Sequence, residues 1–259
     1  SNCYNTSVVF SEINYQYLNF KDFFTYKECV DIDKSAKINN RKFFAGWQNG
    51  GRIEFLDKDN MILTVGDYGD WSLPQNDKSM FGKIININNK NFRLISKGHR
   101  NPQGLYVDTD DKNKFILSTE HGPYGGDEVN LIKNDKNKIF NYGWPISSYG
   151  EHYRSSTKNY KINKLAPLHK SHKKYGFEEP IKNYKNAIGI SQIIKNNFSY
   201  NKYDYFITSL KNKTIYNLKF DKKFQDTNYE DEIKINERIR DIIYDEENKH
   251  YYMLLENTG

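Results

Sequence analysis

No run of apolar residues in this chain approaches the roughly 20 that a membrane-spanning helix needs, so no helical span is expected. Cysteine is scarce, with only Cys3 and Cys29 in 259 residues. Neither belongs to a CxxC pair, which argues against zinc. They are either a disulfide of an oxidising compartment or two unrelated thiols, and the spacing does not choose between these. Basic residues are not clustered. The 39 Lys and Arg stand among 33 Asp and Glu for a net charge of +6, with no basic stripe interleaved with aromatics, so nucleic acid is not an expected partner. Sustained 3.6-residue periodicity with caps is also missing, and no helix is expected. No signal peptide heads the sequence, which reads as cytosolic, already processed, or a fragment.

What is present favours strands. Hydrophobic residues make up only 37%, yet 21 Tyr and 16 Phe raise the aromatic content to 15%, and large rings bury much area per residue on a pleated surface. Short apolar runs at Ser7–Phe10 and Phe43–Trp47 precede the turn Gln48-Asn-Gly-Gly-Arg52. A strand running into a polar turn then recurs at Ile62–Thr64, Ile116–Ser118, Phe206–Thr208 and Tyr252–Leu254, and the first three end in a hydroxyl. Between Thr64, Ser118, Thr208 and Leu254 the gaps are 54, 90 and 46 residues. An all-strand unit of roughly 45–50 residues has the length of a propeller blade. One repeat is then expected, weakly marked, between Ile162 and Ile190. Tyr205–Ser209, a Lys211-Asn-Lys213 turn, Thr214–Phe220 and a loop to Ile233 illustrate one unit. A sandwich would turn over every 8–12 residues without a longer period.

The densest chemistry lies from Gly98 to Pro145. GHRNPQGL (98–105) places Arg100 and Asn101 before a Pro-Gln-Gly turn, EHGPYGGDE (120–128) follows a strand, and NYGWP (141–145) closes the stretch. Glycines there let backbone approach a ligand closely. With SLK (209–211) and RIRD (238–241), these motifs resemble the glucose/sorbosone dehydrogenases, soluble aldose sugar dehydrogenases that use pyrroloquinoline quinone. The resemblance runs in order from about Gly46 to Gly259.

It implies an all-β fold, a six-bladed β-propeller, with residues 1–259 as one domain expected to be an incomplete ring, truncated at both ends and lacking most of the first blade. It also implies the cofactors pyrroloquinoline quinone (PQQ) and Ca²⁺. The flat tricarboxylate would be held by Arg100, Asn101, Lys211, Arg238 and Arg240 through charge-assisted hydrogen bonds. Calcium takes oxygen ligands: one ion on the carbonyls of Gly122 and Pro123, and a second, structural one at Glu128 and the Tyr142 backbone. The implied substrate is a small sugar or alcohol, met by polar insertions such as Ser155–Lys161 and Lys170–Glu179. The implied location is periplasmic or extracellular, and another chain or segment is a candidate to complete the ring.

Read without the family, the same residues have plainer roles. Arg100 and Asn101 can brace a turn, Asp127 and Glu128 a loop. Lys211 can simply be solvated, and His99 and His121, acid/base candidates by the ordinary range of imidazole, can be hydrogen-bonded structural histidines; His121 or water is the candidate to replace a missing base. On a strand Arg238 and Arg240 share a face with Asp241 opposite. One departure bears on activity. The family's general base is a histidine opening an H-x-G-G-R-like turn, and here that position holds Gln48, an amide that cannot accept a proton. The alternative to a dehydrogenase is therefore a catalytically inactive propeller serving as a binding or scaffold module.

Overall fold

The computed structural model describes residues 3–31, 46–89, 91–110, 113–153, 160–225 and 227–258. Most of the Phe43–Trp47 run and of the Ser155–Lys161 insertion lies outside the described residues. Four sheets follow one another as blades. The first is an antiparallel meander of β5 (Gly50–Phe55), β6 (Met61–Val65), β7 (Lys83–Asn88) and β8 (Asn91–Lys97). The second holds β9 (Pro102–Asp110), β10 (Asn113–Glu120), β11 (Asp127–Ile132) and β13 (Lys182–Tyr184). The third comprises β14 (Ile190–Lys195), β15 (Asp204–Ser209), β16 (Thr214–Phe220) and β17 (Thr227–Lys234), and the fourth the pair β18 (Ile239–Asp245) and β19 (His250–Leu255). β5 packs on β9, β9 on β14 and β14 on β18, so the leading strands stand side by side. This is the arrangement of blades around a β-propeller axis.

At the N-terminal side β1 (Cys3–Tyr4) pairs with β4 (Val30–Asp31) and β2 (Ser7–Phe10) with β3 (Lys21–Thr25). Among the described residues none of these joins the β18–β19 sheet. A disulfide links Cys3 to Cys29. The two thiols are therefore partners.

Each blade is too thin to bury its own faces, so the core lies between blades. Ile62, Ile84 and Ile95 meet Leu105, Ile116 and Ile132. Leu117 and Val129 meet Ile190, Ile193, Tyr205 and Ile207. Strands covered on both faces read as unbroken apolar runs, which is why Met61–Val65 is buried at every position.

The recurring hydroxyls have a structural cause. Thr64 Oγ1 accepts from Arg52 N in its own blade (3.0 Å) and donates to Pro102 O in the next (2.9 Å). Ser191 Oγ meets Thr208 Oγ1 (2.8 Å) and donates to Ile239 O of the fourth blade (2.7 Å). Thr119 Oγ1 donates to Ser191 O (2.5 Å). β5 and β14 are bulged near these positions, and the hydroxyls satisfy backbone groups that a bulge leaves out of the ladder.

Two expectations need correction. The 90-residue gap between Ser118 and Thr208 does not hide a blade. Besides β11 and β14, its described residues hold β12 (Phe140–Asn141), which adds parallel to β8, a short helix α1 (Tyr160–Leu165), one 3-10 turn and β13, the outer strand of the second blade. The polar Lys/Asn-rich chain there lacks apolar alternation sufficient for four strands. In the third unit the supposed loop to Ile233 is mostly strand β17, paired along β16.

Buried Lys83 fastens the loop before it. Its ammonium donates to the carbonyls of Leu73 (2.9 Å), Pro74 (3.0 Å) and Phe81 (2.8 Å). Burial pushes it down to about 7, against the pull of Glu28 and Asp77. Lys83→Met is expected to cost about 1–3 kcal/mol near neutral pH, by leaving carbonyls without donors. A lysine lowered in the folded state binds fewer protons there than when unfolded, so wild-type stability rises from about pH 7 towards 10. The gap to the methionine variant should therefore be wider at pH 9 than at pH 6.5, as read from paired urea midpoints. An equal gap would show that Lys83 keeps its proton throughout.

Candidate functional site

Three turns meet at one end of the leading strands. The turn bearing Gln48 (φ +66°) locks on the chain after β6: Gly66 N donates to Asn49 O (2.8 Å) and Tyr68 N to Gln48 O (3.0 Å). A Cβ on Gly66 would sit 1.9 Å from Gln48 O, so only glycine allows this approach. Asp67 N donates to Arg100 O (2.9 Å), Gly50 N to Asn101 Oδ1 (3.2 Å), and His121 N to Asn101 O (3.2 Å). Backbone bonds thus bring positions 48, 67, 100 and 121 together from two blades.

Arg100 is fixed from beneath. Its N–H donates to Glu120 Oε1. Glu120 Oε2 lies 2.8 Å from His99 Nδ1, and His99 Nε2 lies 2.7 Å from Ser96 Oγ. Ser96 and His99 are fully buried and Glu120 nearly so, which makes this chain a support closed to substrate. The Arg100 guanidinium lies over Trp144, 5.4 Å to the ring centre, and donates from Nη1 to the carbonyls of His121 (3.2 Å) and Gly122 (2.7 Å). Its Nε is buried without a partner.

Gln48 bridges Asp67 and Arg100. With the amide nitrogen turned to Asp67, the orientation that satisfies both neighbours, it donates to Asp67 Oδ1 (2.7 Å) and accepts from Arg100 Nη2 (3.1 Å). Asp67 also accepts from Gly69 N (2.8 Å) and Trp144 Nε1 (2.8 Å). Burial raises its carboxyl to about 7, with Arg100 and these donors opposing.

These groups open on a cavity of about 710 Å³, within the range of small-molecule sites. Its walls carry Gln48, Arg100, Asn101, Gly122, Pro123, His121, Arg238 and Arg240. Arg238 and Arg240 both contact Glu256, while Asp241 turns away to Arg52 (2.6 Å). Lys211 is placed differently. Leu210 lines the cavity, but Lys211 is exposed and is not among the lining residues; its N–H donates to Ile188 O (3.0 Å). Of the five expected cofactor contacts, four share this cavity.

His121 is a wall residue that composition alone did not separate from a structural histidine. Its Nε2 lies 3.0 Å from Gln103 Oε1, and its Nδ1 3.9 Å from Asp127 Oδ1. Burial, which favours the neutral ring, moves it below the ordinary histidine range, and the Asp127 carboxylate opposes this. Asp127 braces the wall. Oδ1 accepts from Gly122 N (3.1 Å), and Oδ2 from Ile188, Gly189 and Ile190 N (3.0, 2.8 and 3.2 Å).

The expected metal positions divide. Gly122 and Pro123 stand on the large cavity, where their carbonyls are oxygen ligands of the kind a hard cation takes. Glu128 and Tyr142 face a separate cleft of about 10 Å³, room for one water. There His172 Nε2 lies 3.3 Å from Glu128 Oε1. Although its burial disfavours the imidazolium, hydrogen bonding to and charge on Glu128 raise His172 above its usual range, making it the counter-ion of that carboxylate. The His172 ring stands 3.3 Å from the Glu128 carboxylate, so a calcium ion at this second position would have to displace it. Among the described residues no cluster of three or more His, Cys, Asp or Glu side chains could hold a metal.

Known proteins give this arrangement its context. The chain is 27% identical over 165 residues to aldose sugar dehydrogenase YliI of Escherichia coli, covering 58% of this chain and 41% of that protein. It is 26% identical over 238 residues to quinoprotein glucose dehydrogenase B of Acinetobacter calcoaceticus, covering 73% and 47%. It thus spans about half the length of the curated relatives it matches. The crystal structure of the apo soluble aldose sugar dehydrogenase of E. coli superposes with a TM-score of 0.73 at 22% identity, over 96% of this chain and 70% of that one, which shows the fold. The glucose/sorbosone dehydrogenase profile matches residues 31–259. The chain belongs to the glucose/sorbosone dehydrogenase family.

Proposed function

We propose that this chain carries the cofactor face of a PQQ- and calcium-dependent dehydrogenase of aldose sugars or related alcohols. The observation that carries the reading is the convergence of Arg100, Asn101, Gly122, Pro123, Arg238 and Arg240 on one cavity. Planar guanidinium groups match carboxylates. The buried, unpartnered Nε of Arg100 is a donor that lacks only an acceptor, so the residues fit a flat polycarboxylate. Arg238 and Arg240 would hold its carboxylates and Asn101 would orient it; a divalent ion on the Gly122 and Pro123 carbonyls would first have to displace Arg100 Nη1 from Gly122 O (2.7 Å). Held there, such a group would supply a two-electron oxidant, and a divalent ion beside it would supply Lewis-acid polarisation.

The substrate hydroxyl must give up a proton to the protein. Gln48 cannot take it. His121 is the imidazole on the wall, neutral at neutral pH and oriented by Gln103, and is the acceptor in this reading. A second reading, a binder that does no redox chemistry, is favoured by one observation: the Gln48 amide has both ends engaged, by Asp67 and Arg100. The Cys3–Cys29 disulfide supports a periplasmic or extracellular site of action, and no helix among the described residues is long and apolar enough to cross a membrane.

Addition of PQQ with calcium is expected to shift the cofactor absorbance and raise the melting temperature by several degrees at tens of Kd. No shift at micromolar cofactor would remove the proposal. Dye reduction with a panel of aldoses then separates enzyme from binder.

A further inference from the structure

The two arginines on the far wall do not stand empty. β18 begins after Arg238 and is bulged between Ile239 and Asp241, so Arg240 leaves the regular alternation. Bulges next to functional sites commonly re-aim one side chain. Here both guanidinium groups arrive on the same carboxylate, Arg238 Nε on Glu256 Oε2 and Arg240 Nη2 on Glu256 Oε1 (2.9 Å). Glu256 is seated by its own backbone, its N–H donating to Arg238 O (3.1 Å) just beyond β19. Two cations converging on the two oxygens of one carboxylate is the geometry by which arginines recognise carboxylate ligands.

Resting on the polycarboxylate reading above, we propose that Glu256, exposed and outside the lining residues but bound to two of them, is a specificity-determining residue for this cavity: its tethered carboxylate occupies the two-arginine fork and sets which anions the wall admits. With Glu256 in place the fork carries one net positive charge, and an incoming carboxylate must displace a partner already held by the chain. A ligand anchored elsewhere as well, by Arg100 and the Asn101 amide on the same cavity, has the extra contacts to do so. A monocarboxylate lacks them. Sugar acids, the hydrolysed products of aldose oxidation, are monocarboxylates, so Glu256 keeps the product class off the arginines while the larger anion stays. The two pairs are half-exposed, so their loss costs little stability, and the variant should fold.

The test uses Glu256→Gln, which keeps the shape and removes the charge. PQQ with calcium is titrated by absorbance. Citrate and gluconate are titrated by thermal shift on the apo protein. Removing the competing charge is expected to tighten PQQ roughly five- to tenfold, to enlarge the citrate shift, and to make gluconate compete with PQQ at concentrations inert towards the wild type. Glu256→Asp, which keeps charge but shortens reach, should fall between. Weaker or unchanged binding of all three anions in Glu256→Gln overturns the proposal and leaves Glu256 as a brace for the arginines. If neither form binds PQQ, the cofactor reading fails separately. The citrate and gluconate titrations then still decide the fork: larger shifts in the variant support it, equal shifts overturn it.

Discussion

Gln48→His is expected to raise aldose-dependent dye reduction by the PQQ- and calcium-loaded protein about tenfold or more: a positioned general base contributes about 10²–10⁴ in rate, of which His121, with Nε2 engaged by Gln103, supplies part. The scaffold for an imidazole is already built. Residue 48 sits at φ +66°, a region in which histidine is enriched among non-glycine residues. Its side chain ends 2.7 Å from Asp67 Oδ1. Asp67 is held by Gly69 N and Trp144 Nε1 and would orient one ring nitrogen while the other faces the cavity. Burial raises Asp67 to about 7, and an imidazolium beside it would favour its ionised form. The measurement is kcat against pH for both forms, with cofactor affinity followed in parallel. A gain in kcat at constant affinity supports the base assignment. An unchanged rate with bound cofactor would show that position 48 does not meet the substrate hydroxyl, and would leave His121 or the non-catalytic reading.

Asp127→Ala should be the most destabilising single change at the site, at about 3–5 kcal/mol. One buried carboxylate serves four backbone N–H groups. Alanine would strand all four, and a buried donor left unmade costs about 1–3 kcal/mol, less where water reaches it. For a domain of this size that lowers the melting temperature by about 10 °C. Asp127→Asn keeps one acceptor oxygen and should lose less. The same change would free the Gly122 turn from the 188–190 loop, so cofactor affinity should fall with stability. A variant of normal melting temperature would show that the four donors find other partners.

Much of the fold was legible because hydrophobic runs and hydroxyl endings repeat wherever a blade repeats. Thr64 and Thr208 mark equivalent strands because each closes a bulge on its own leading strand. The stretch from Ile162 to Ile190 misled because period alone cannot distinguish a weak blade from a long excursion. Its few strand residues, Lys182–Tyr184, take their place through pairing with β11, remote in sequence. The family motifs named Arg100, Asn101, Arg238 and Arg240, all on the cavity. They also named Lys211, which the turn after β15 leaves in solvent. The plain reading of Asp127 as a loop brace and of His99 as a hydrogen-bonded histidine describes both residues.

The sequence by itself determined the strand-rich architecture, the family and the loops that carry polar chemistry, because each of these depends on local patterns of side-chain type. Only the tertiary structure decided which charges meet. His172 on Glu128, Glu256 across Arg238 and Arg240, and Gln48 between Asp67 and Arg100 join residues from 16 to 52 positions apart. Such pairings depend on how blades stack and where bulges fall, and a charge acquires its role from the groups that surround it in space.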